Sequence, residues 1–143
     1  MQEAWIKLLF ISSLKKNIKK TKVIFRKENH YKSQIIQSPG VINSNLILEQ
    51  YLSIFKNYSE KCFPLPPEST YKYVEAKMKS KNEIKAFTDR WIGNKSFSKG
   101  ERDNIEMRLC FGNQKEPDFF LRNNNFYKLS FKLYAPLINA LNT

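Results

Sequence analysis

The sequence predicts an α+β fold that is mostly helical, with a short β-hairpin and about five helices. In most segments the apolar residues recur at intervals of three and four, which is typical of helices that bury one face. In residues 21–37, by contrast, apolar and polar residues alternate as they do in half-buried strands. At 143 residues and 41% hydrophobic content, the chain is long enough for one modest core. We therefore predict a single domain over 1–143, with a helix and hairpin in 1–40 and a helical part in 41–143.

The N-terminal part is predicted to contain one helix followed by the hairpin. A helix over Ala4–Leu14 brings a small, mostly apolar stripe to one side, formed by Trp5, Leu8, Leu9 and Ser12. Strands are predicted over 21–27 (TKVIFRK) and 32–37 (KSQIIQ), with the intervening ENHY as a turn. The SPG segment at 38–40 ends the second strand, because proline lacks the N–H that a strand ladder needs.

The next helix is expected to begin at a cap formed by Asn43 or Ser44. Its predicted apolar face consists of Leu48, Tyr51, Leu52, Phe55 and Tyr58. The proline-rich FPLPP segment at 63–67 ends this helix. A further helical region then extends to Trp91, as one bent helix or as two, and Gly93 is suited to cap its C-terminus.

The C-terminal third is predicted to contain two more helices. NKSFSK (94–99) and GNQKEPD (112–118) are predicted to be loops, and a helix is predicted between them over Gly100–Phe111. The last helix, over Phe126–Leu141, places one apolar row on a single side: Phe126, Leu129, Leu133 and Leu137. We expect Pro136 to kink or shorten it.

Three carboxylates lie close together in KGERDNIEMRL, residues 99–109. In a helix, successive residues are about 100° apart, so Glu101 and Asp103 point in different directions and cannot share a metal ion. Asp103 and Glu106 share a face, but the sequence nearby offers no third ligand. Acidic side chains stabilise the first turn of a helix through its dipole, and Arg102 can pair with Glu106. We therefore interpret this segment as the start of a helix and predict no metal site and no catalytic residue.

Other reactive side chains carry little catalytic signal. His30, the single histidine, is predicted to be a solvated turn residue, since no partner for general-base chemistry lies near it in sequence. Cys110 is predicted to be a small buried hydrophobe, and Cys62 lacks a neighbouring base. With four glycines in the chain, there is no glycine-rich loop to hold a phosphate. Two widely spaced cysteines and an N-terminal segment unlike a signal peptide favour a cytoplasmic protein.

The formal net charge of +12 allows two interpretations. A basic surface binds nucleic acid by releasing condensed counterions. Alternatively, the excess of lysine, asparagine and isoleucine reflects an A+T-rich genome. The densest basic run can contact a phosphate backbone or an acidic partner, or can simply be a solvated rim: Lys15, Lys16, Lys19, Lys20 and Lys22. Several aromatic residues can stack on bases, although core packing is the default for them: Tyr71, Tyr73, Phe119, Phe120 and Tyr127.

An ordered set of motifs resembles the C-terminal part of the RecC family, the gamma subunit of exodeoxyribonuclease V (RecBCD). The motifs are ILEQYLSIFKNYSEKCFPLPPESTYKYV, AFTDRWIGN, GERDNIEMRL and FKLYAPL. The matching positions are Leu52, Phe55, Pro64 to Ser69, Trp91, Gly93, Asn94, Gly100, Glu101, Asp103, Arg108, Leu109, Pro136 and Leu137. The N-terminal helix and hairpin also fit, so the resemblance spans nearly the whole chain. Arg102 and Asn104 depart from the family pattern, in which a small residue and an acid are usual.

The resemblance implies a non-catalytic part of a DNA-processing machine. It implies an inactive PD-(D/E)xK nuclease-like domain that helps to split duplex ends and binds RecB-like and RecD-like subunits, acting in DNA repair and recombination. ATP and Mg would belong to those subunits, and this chain would hold no cofactor. The metal-binding residues of active relatives would precede Met1, so the chain would be part of a nuclease-like domain and would expose Trp5, Leu8 and Leu9. The alternatives are a free-standing basic nucleic-acid-binding domain, a gene relic without activity and, least favoured, an enzyme using Glu101, Asp103 or His30.

Overall fold

A computed structural model describes residues 1–14, 17–27, 29–60, 63–94, 98–112 and 115–142. Within these ranges the chain forms seven α-helices, one short 3-10 helix and two separate two-stranded antiparallel sheets. The predicted α+β class, mostly helical with one hairpin, is confirmed. The described residues contain more helices than the five expected, because the region before Trp91 forms two helices and a predicted loop contains another. The chain divides into two compact units, Met1–Asn57 with Pro136–Thr143, and Tyr58–Ala135.

The first unit contains helix α1 (Gln2–Leu14), strands β1 (Lys20–Lys27) and β2 (His30–Gln37), and helix α2 (Val41–Tyr58) up to Asn57. Helix α2 begins directly after Gly40, so the predicted cap at Asn43 or Ser44 is wrong. The N–H of Ser44 donates to the carbonyl of Gly40 (2.9 Å), which places Ser44 inside the helix. The amide Nδ2 of Asn43 donates instead to the carbonyl of Pro39 (3.1 Å).

The buried side of α1 is the predicted stripe. Trp5, Leu8 and Leu9 are at most 3% exposed, and Ser12 is buried as well. The indole Nε1 of Trp5 donates to the hydroxyl of Tyr51 on α2 (3.1 Å). The expectation that Trp5, Leu8 and Leu9 would form an exposed patch is therefore wrong, because all three are buried within the folded chain.

Helix α2 buries only part of the predicted face. Leu48 and Tyr51 are half-buried as expected, but Leu52 and Phe55 are 56% and 68% exposed. Ile54 takes their place on the inner side. Apolar residues occur on both sides of α2, and such a pattern leaves the choice of buried side to the packing.

The hairpin pairs eight residues on each strand, from Lys20 opposite Gln37 to Lys27 opposite His30. His30 therefore lies in β2 and not in the turn. Side chains of consecutive strand residues point to opposite faces of the ribbon. Ile36 is fully buried and its cross-strand neighbour Thr21 is half-buried, so one face of the ribbon packs against the unit.

The second unit contains the remaining elements. They are α3 (Pro67–Met78), α4 (Glu83–Ile92), β3 (Gly93–Asn94), β4 (Ser98–Lys99), a 3-10 helix (Glu101–Asp103), α5 (Ile105–Phe111), α6 (Pro117–Leu121) and α7 (Phe126–Asn142) up to Ala135. Three elements, β3, β4 and α6, lie wholly or partly in segments predicted to be loops. Asn94 pairs with Ser98 across β3 and β4, and Pro117 at the first position of α6 favours a helix start.

Aromatic side chains form the core of the second unit. Phe87, Phe120 and Phe126 are at most 2% exposed, and Phe87 lies 5.5 Å from Phe126 between ring centroids. Trp91 lies 4.8 Å from Phe120, and its Nε1 donates to the carbonyl of Lys115 (2.7 Å). Tyr73 packs edge-on against Phe126 at 5.1 Å. Core packing is therefore the role of Tyr73 and Phe120, as the sequence indicates.

Glycine and proline behave largely as predicted. Gly93 ends α4 with a φ of 75°, which confirms its role as a C-cap. Pro136 does not shorten α7, which continues to Asn142, but the division between the two units falls at this residue. The predicted apolar row of α7 is buried or half-buried throughout, at Phe126, Leu129, Leu133 and Leu137.

Candidate functional site

The acidic segment does not form the single helix predicted over Gly100–Phe111. Glu101–Asp103 forms a 3-10 helix, and α5 begins afresh at Ile105. Asn104 between them has an extended conformation with a ψ of 140°. The predicted ion pair between Arg102 and Glu106 is absent from the described part of the chain, because this break separates the two residues.

Glu101 is the most deeply buried carboxylate among the described residues, at 1% exposure. One oxygen, Oε1, accepts a hydrogen bond from the N–H of Glu68 (2.8 Å). The other, Oε2, accepts from the N–H and the hydroxyl of Ser69 (2.6 and 2.5 Å). These N–H groups lie in the first turn of α3, where no intrahelical acceptor exists. Glu101 therefore caps the N-terminus of α3, a role that its position in the sequence does not reveal.

Burial raises the pKa of Glu101, while its hydrogen bonds from Ser69 and the positive charge of Arg90 oppose that rise. Arg90 pairs with Glu68, and its Nη1 donates to the carbonyl of Lys99 (3.2 Å). A buried carboxylate with a raised pKa is a recognised sign of a functional site. Here both oxygens are already occupied by α3, so the group contributes to the architecture of the unit.

The other two acids of the segment lie apart from Glu101. Asp103 accepts a hydrogen bond from the N–H of Gly100 (3.1 Å), which closes the 3-10 turn locally. Glu106 is exposed on α5. In the ranges that the structure describes, no three His, Cys, Asp or Glu side chains gather in a way that could hold a metal ion.

His30 is solvated as predicted but does not lie in a turn, whereas Cys110 differs from expectation. His30 is exposed at the start of β2, opposite Lys27. Cys110 is exposed, so the prediction that it is a buried hydrophobe is wrong. Cys62 lies outside the described residues.

The predicted basic run lies at the entrance to the hairpin. Lys15 and Lys16 fall outside the described residues, whereas Lys19, Lys20 and Lys22 are all exposed. Lys20 and Lys22 lie on the ribbon face that points away from the buried Ile36. We call the exposed part of this surface the outer ribbon face, and it consists of Lys20, Lys22, Ile24, Arg26, Tyr31, Ser33 and Ile35.

The outer ribbon face carries cations and exposed apolar groups but no acidic side chain. Tyr31 is 80% exposed and Ile24 is 67% exposed. The strand register places Arg26 opposite Tyr31 and Lys22 opposite Ile35. Arg26 and Tyr31 were not among the contact residues predicted from the sequence, although the spacing 20, 22, 24, 26 along one strand was a usable signal.

The charge around the hairpin is strongly one-sided. Between residues 15 and 32 the sequence contains eight basic residues and one acid: Lys15, Lys16, Lys19, Lys20, Lys22, Arg26, Lys27 and Lys32, with Glu28. No described carboxylate lies within ion-pair distance of Lys19, Lys20, Lys22 or Lys32. In the second unit, by contrast, many cations are paired, as Lys85 is with Asp89 and Lys77 with Glu83.

The comparisons give no relative from which a role can be transferred. No protein-family model, curated protein or solved structure matches this chain. Across the described residues, no helix combines the length and apolarity needed to cross a bilayer. The properties of the residues themselves are thus the basis for a functional proposal.

Proposed function

We propose that this chain is a non-catalytic, RecC-like segment of a helicase–nuclease, which contacts DNA through the outer ribbon face during double-strand-break processing and recombinational repair. The assignment to RecC depends on the ordered motifs of the sequence. The DNA contact depends on one observation: Lys20, Lys22 and Lys32 of the hairpin are exposed and no described carboxylate lies within ion-pair distance of them. Partner subunits of the RecB and RecD type would supply ATP hydrolysis and Mg-dependent cleavage.

Phosphate contact is the chemistry that this surface favours. Lys20 and Lys22 point to the same side of β1, so both can contact one phosphate backbone. Each phosphate neutralised releases condensed counterions and adds to affinity. A cation that is already paired with a carboxylate gains less affinity from counterion release. Lys20 and Lys22, which have no acidic partner among the described residues, are therefore better suited to bind phosphate than the paired lysines of the second unit.

A non-catalytic role agrees with the use of Glu101. A carboxylate that ligates a catalytic metal needs free lone pairs directed at the ion. Both oxygens of Glu101 accept hydrogen bonds from the first turn of α3 instead.

Salt-dependent binding to a short DNA duplex tests the proposal. We expect the double substitution Lys20→Gln and Lys22→Gln to weaken binding and to lower the slope of log K against log salt by about 1–2, because each lost phosphate contact removes about 0.9. The matched control is Lys72→Gln with Lys85→Gln, which also removes two exposed cations. Fluorescence anisotropy over a salt series measures both slopes.

Equal slopes for the two double variants would contradict a specific role for the outer ribbon face. A flat salt response of the native chain would contradict the DNA contact altogether. A free-standing basic nucleic-acid-binding domain predicts full affinity in the isolated chain, whereas the RecC-like role predicts that a partner subunit increases it.

A further inference from the structure

We infer that Tyr31 forms a base-stacking site for single-stranded nucleic acid at the end of the outer ribbon face that Arg26 and Tyr31 form. This inference rests on the proposed nucleic-acid contact and adds the class of ligand. An aromatic ring that is 80% exposed contributes little to the core of its unit. Aromatic rings of this kind bind unpaired bases, since every base has a flat face that stacks without regard to sequence.

The surroundings of Tyr31 match an unpaired strand. Arg26 lies directly opposite Tyr31 in the register, and Ile24 lies two residue pairs along the ladder, on the same face of the ribbon. Ile24 is 67% exposed and extends the apolar area beside the ring. Lys22 lies further along β1 on the same face and carries a positive charge. The bases of a bound strand can therefore pack against Tyr31 and Ile24 while its phosphates contact Lys22.

The positive charge of the outer ribbon face favours binding of nucleic acid over binding of an apolar protein partner. None of the seven residues of the outer ribbon face is acidic, and along β1 its cations Lys20, Lys22 and Arg26 lie on either side of the apolar Ile24. An apolar helix from a partner would leave Lys20 and Lys22 unpaired on binding, whereas a phosphate backbone would neutralise them. In a duplex the bases are stacked on one another, so Tyr31 can stack only on a base that is unpaired.

Substitution of Tyr31 tests this site. We expect Tyr31→Ser to weaken binding to an oligo(dT) probe about 5- to 100-fold, the loss that one stacked base produces. Tyr31→Phe keeps the ring and is expected to retain affinity. Tyr127→Ser removes another exposed tyrosine, from α7, and is expected to leave affinity unchanged. Anisotropy of labelled oligo(dT) and of a labelled duplex measures all four chains, with circular dichroism as the check on folding.

The outcomes separate this inference from the proposed function. A loss that is confined to oligo(dT) and restored by Tyr31→Phe supports stacking. If Tyr31→Ser binds oligo(dT) as the native chain does, or loses duplex affinity to the same extent, the stacking site is wrong even though the lysine-dependent contact stands. If the native chain shows no salt-dependent binding to either probe, both proposals are wrong.

Discussion

At the scale of single residues, Glu101 shows how burial changes the role of an acidic side chain. Its carboxylate is withdrawn from water and accepts three hydrogen bonds from Glu68 and Ser69. Hydrogen bonds to a charged acceptor are stronger than neutral ones, and they offset part of the cost of burial. The net effect is a raised pKa, because desolvation is the largest contribution. Glu101 thus stabilises α3 while carrying a charge that the interior disfavours.

Replacing Glu101 with alanine is expected to lower the free energy of unfolding by about 2–4 kcal/mol, because buried donors of α3 and the Ser69 hydroxyl lose their acceptor. Chemical denaturation measures this loss. Glu106→Ala is the control, since Glu106 is exposed on α5 and is expected to change stability by less than about 0.5 kcal/mol. Similar losses for both variants would contradict the capping role.

The raised pKa of Glu101 also predicts a pH dependence with a definite sign. The folded state holds the proton more tightly than the unfolded state, whose carboxyl titrates near its ordinary value of 4.5. The stability from this group is therefore complete below that value and declines as pH rises through the folded pKa. We expect the stability difference between the native chain and Glu101→Gln to shrink as pH rises from below 4.5 through the folded pKa. A difference that grows over this range would contradict the prediction.

At the scale of elements, the joint between α4 and the 3-10 helix depends on a close backbone approach. A Cβ placed on Gly100 would lie 2.3 Å from the carbonyl oxygen of Trp91 and 2.4 Å from that of Ile92. Backbone atoms cannot move aside as a flexible side chain can. The absence of a side chain at Gly100 therefore lets Glu101 reach the first turn of α3.

We expect Gly100→Ala to destabilise the chain by about 3 kcal/mol, since the added methyl group forces two elements apart. Thermal unfolding followed by circular dichroism measures the effect. Lys99→Ala is a suitable control, because Lys99 is the preceding residue and its side chain is exposed. An unchanged melting temperature for Gly100→Ala would show that the close approach is absent.

At the scale of the whole molecule, apolar surface remains exposed on the first unit. Helix α1 has apolar residues on all sides, and those opposite the buried stripe are 42–83% exposed: Ile6, Phe10, Ile11 and Leu14. Helix α2 adds Leu52 and Phe55. Exposed apolar residues in such number are typical of surfaces that bind other proteins. This agrees with the proposed role of a segment held by larger subunits.

Capture of a RecB-like subunit tests that role directly. We expect the tagged native chain to co-purify with a RecB-like protein, and Phe10→Ser combined with Leu14→Ser to reduce the recovery at least about tenfold by removing apolar contact area. Ile84→Ser with Leu109→Ser is the control, since these exposed residues lie in the second unit. Equal recovery for both variants would contradict an interface on α1, and no recovery with the native chain would contradict the RecC-like assignment.

Local patterns in the sequence determined where most elements lie. The alternation in 21–37, the helical spacing of Trp5, Leu8 and Leu9, and the glycine at 93 each predicted a feature that the structure contains. Such features depend on residues that are near one another along the chain. Sequence spacing therefore carries the information that specifies them.

The tertiary structure alone decided which sides and which partners these elements use. Helices α1 and α2 have apolar residues on more than one side, so only packing selects Tyr51 and leaves Phe55 exposed. Glu101 accepts a hydrogen bond from Ser69, which is 32 positions away in the sequence. The strand register brings Tyr31 opposite Arg26. Contacts between residues distant in sequence arise from chain folding, and local periodicity carries no record of them.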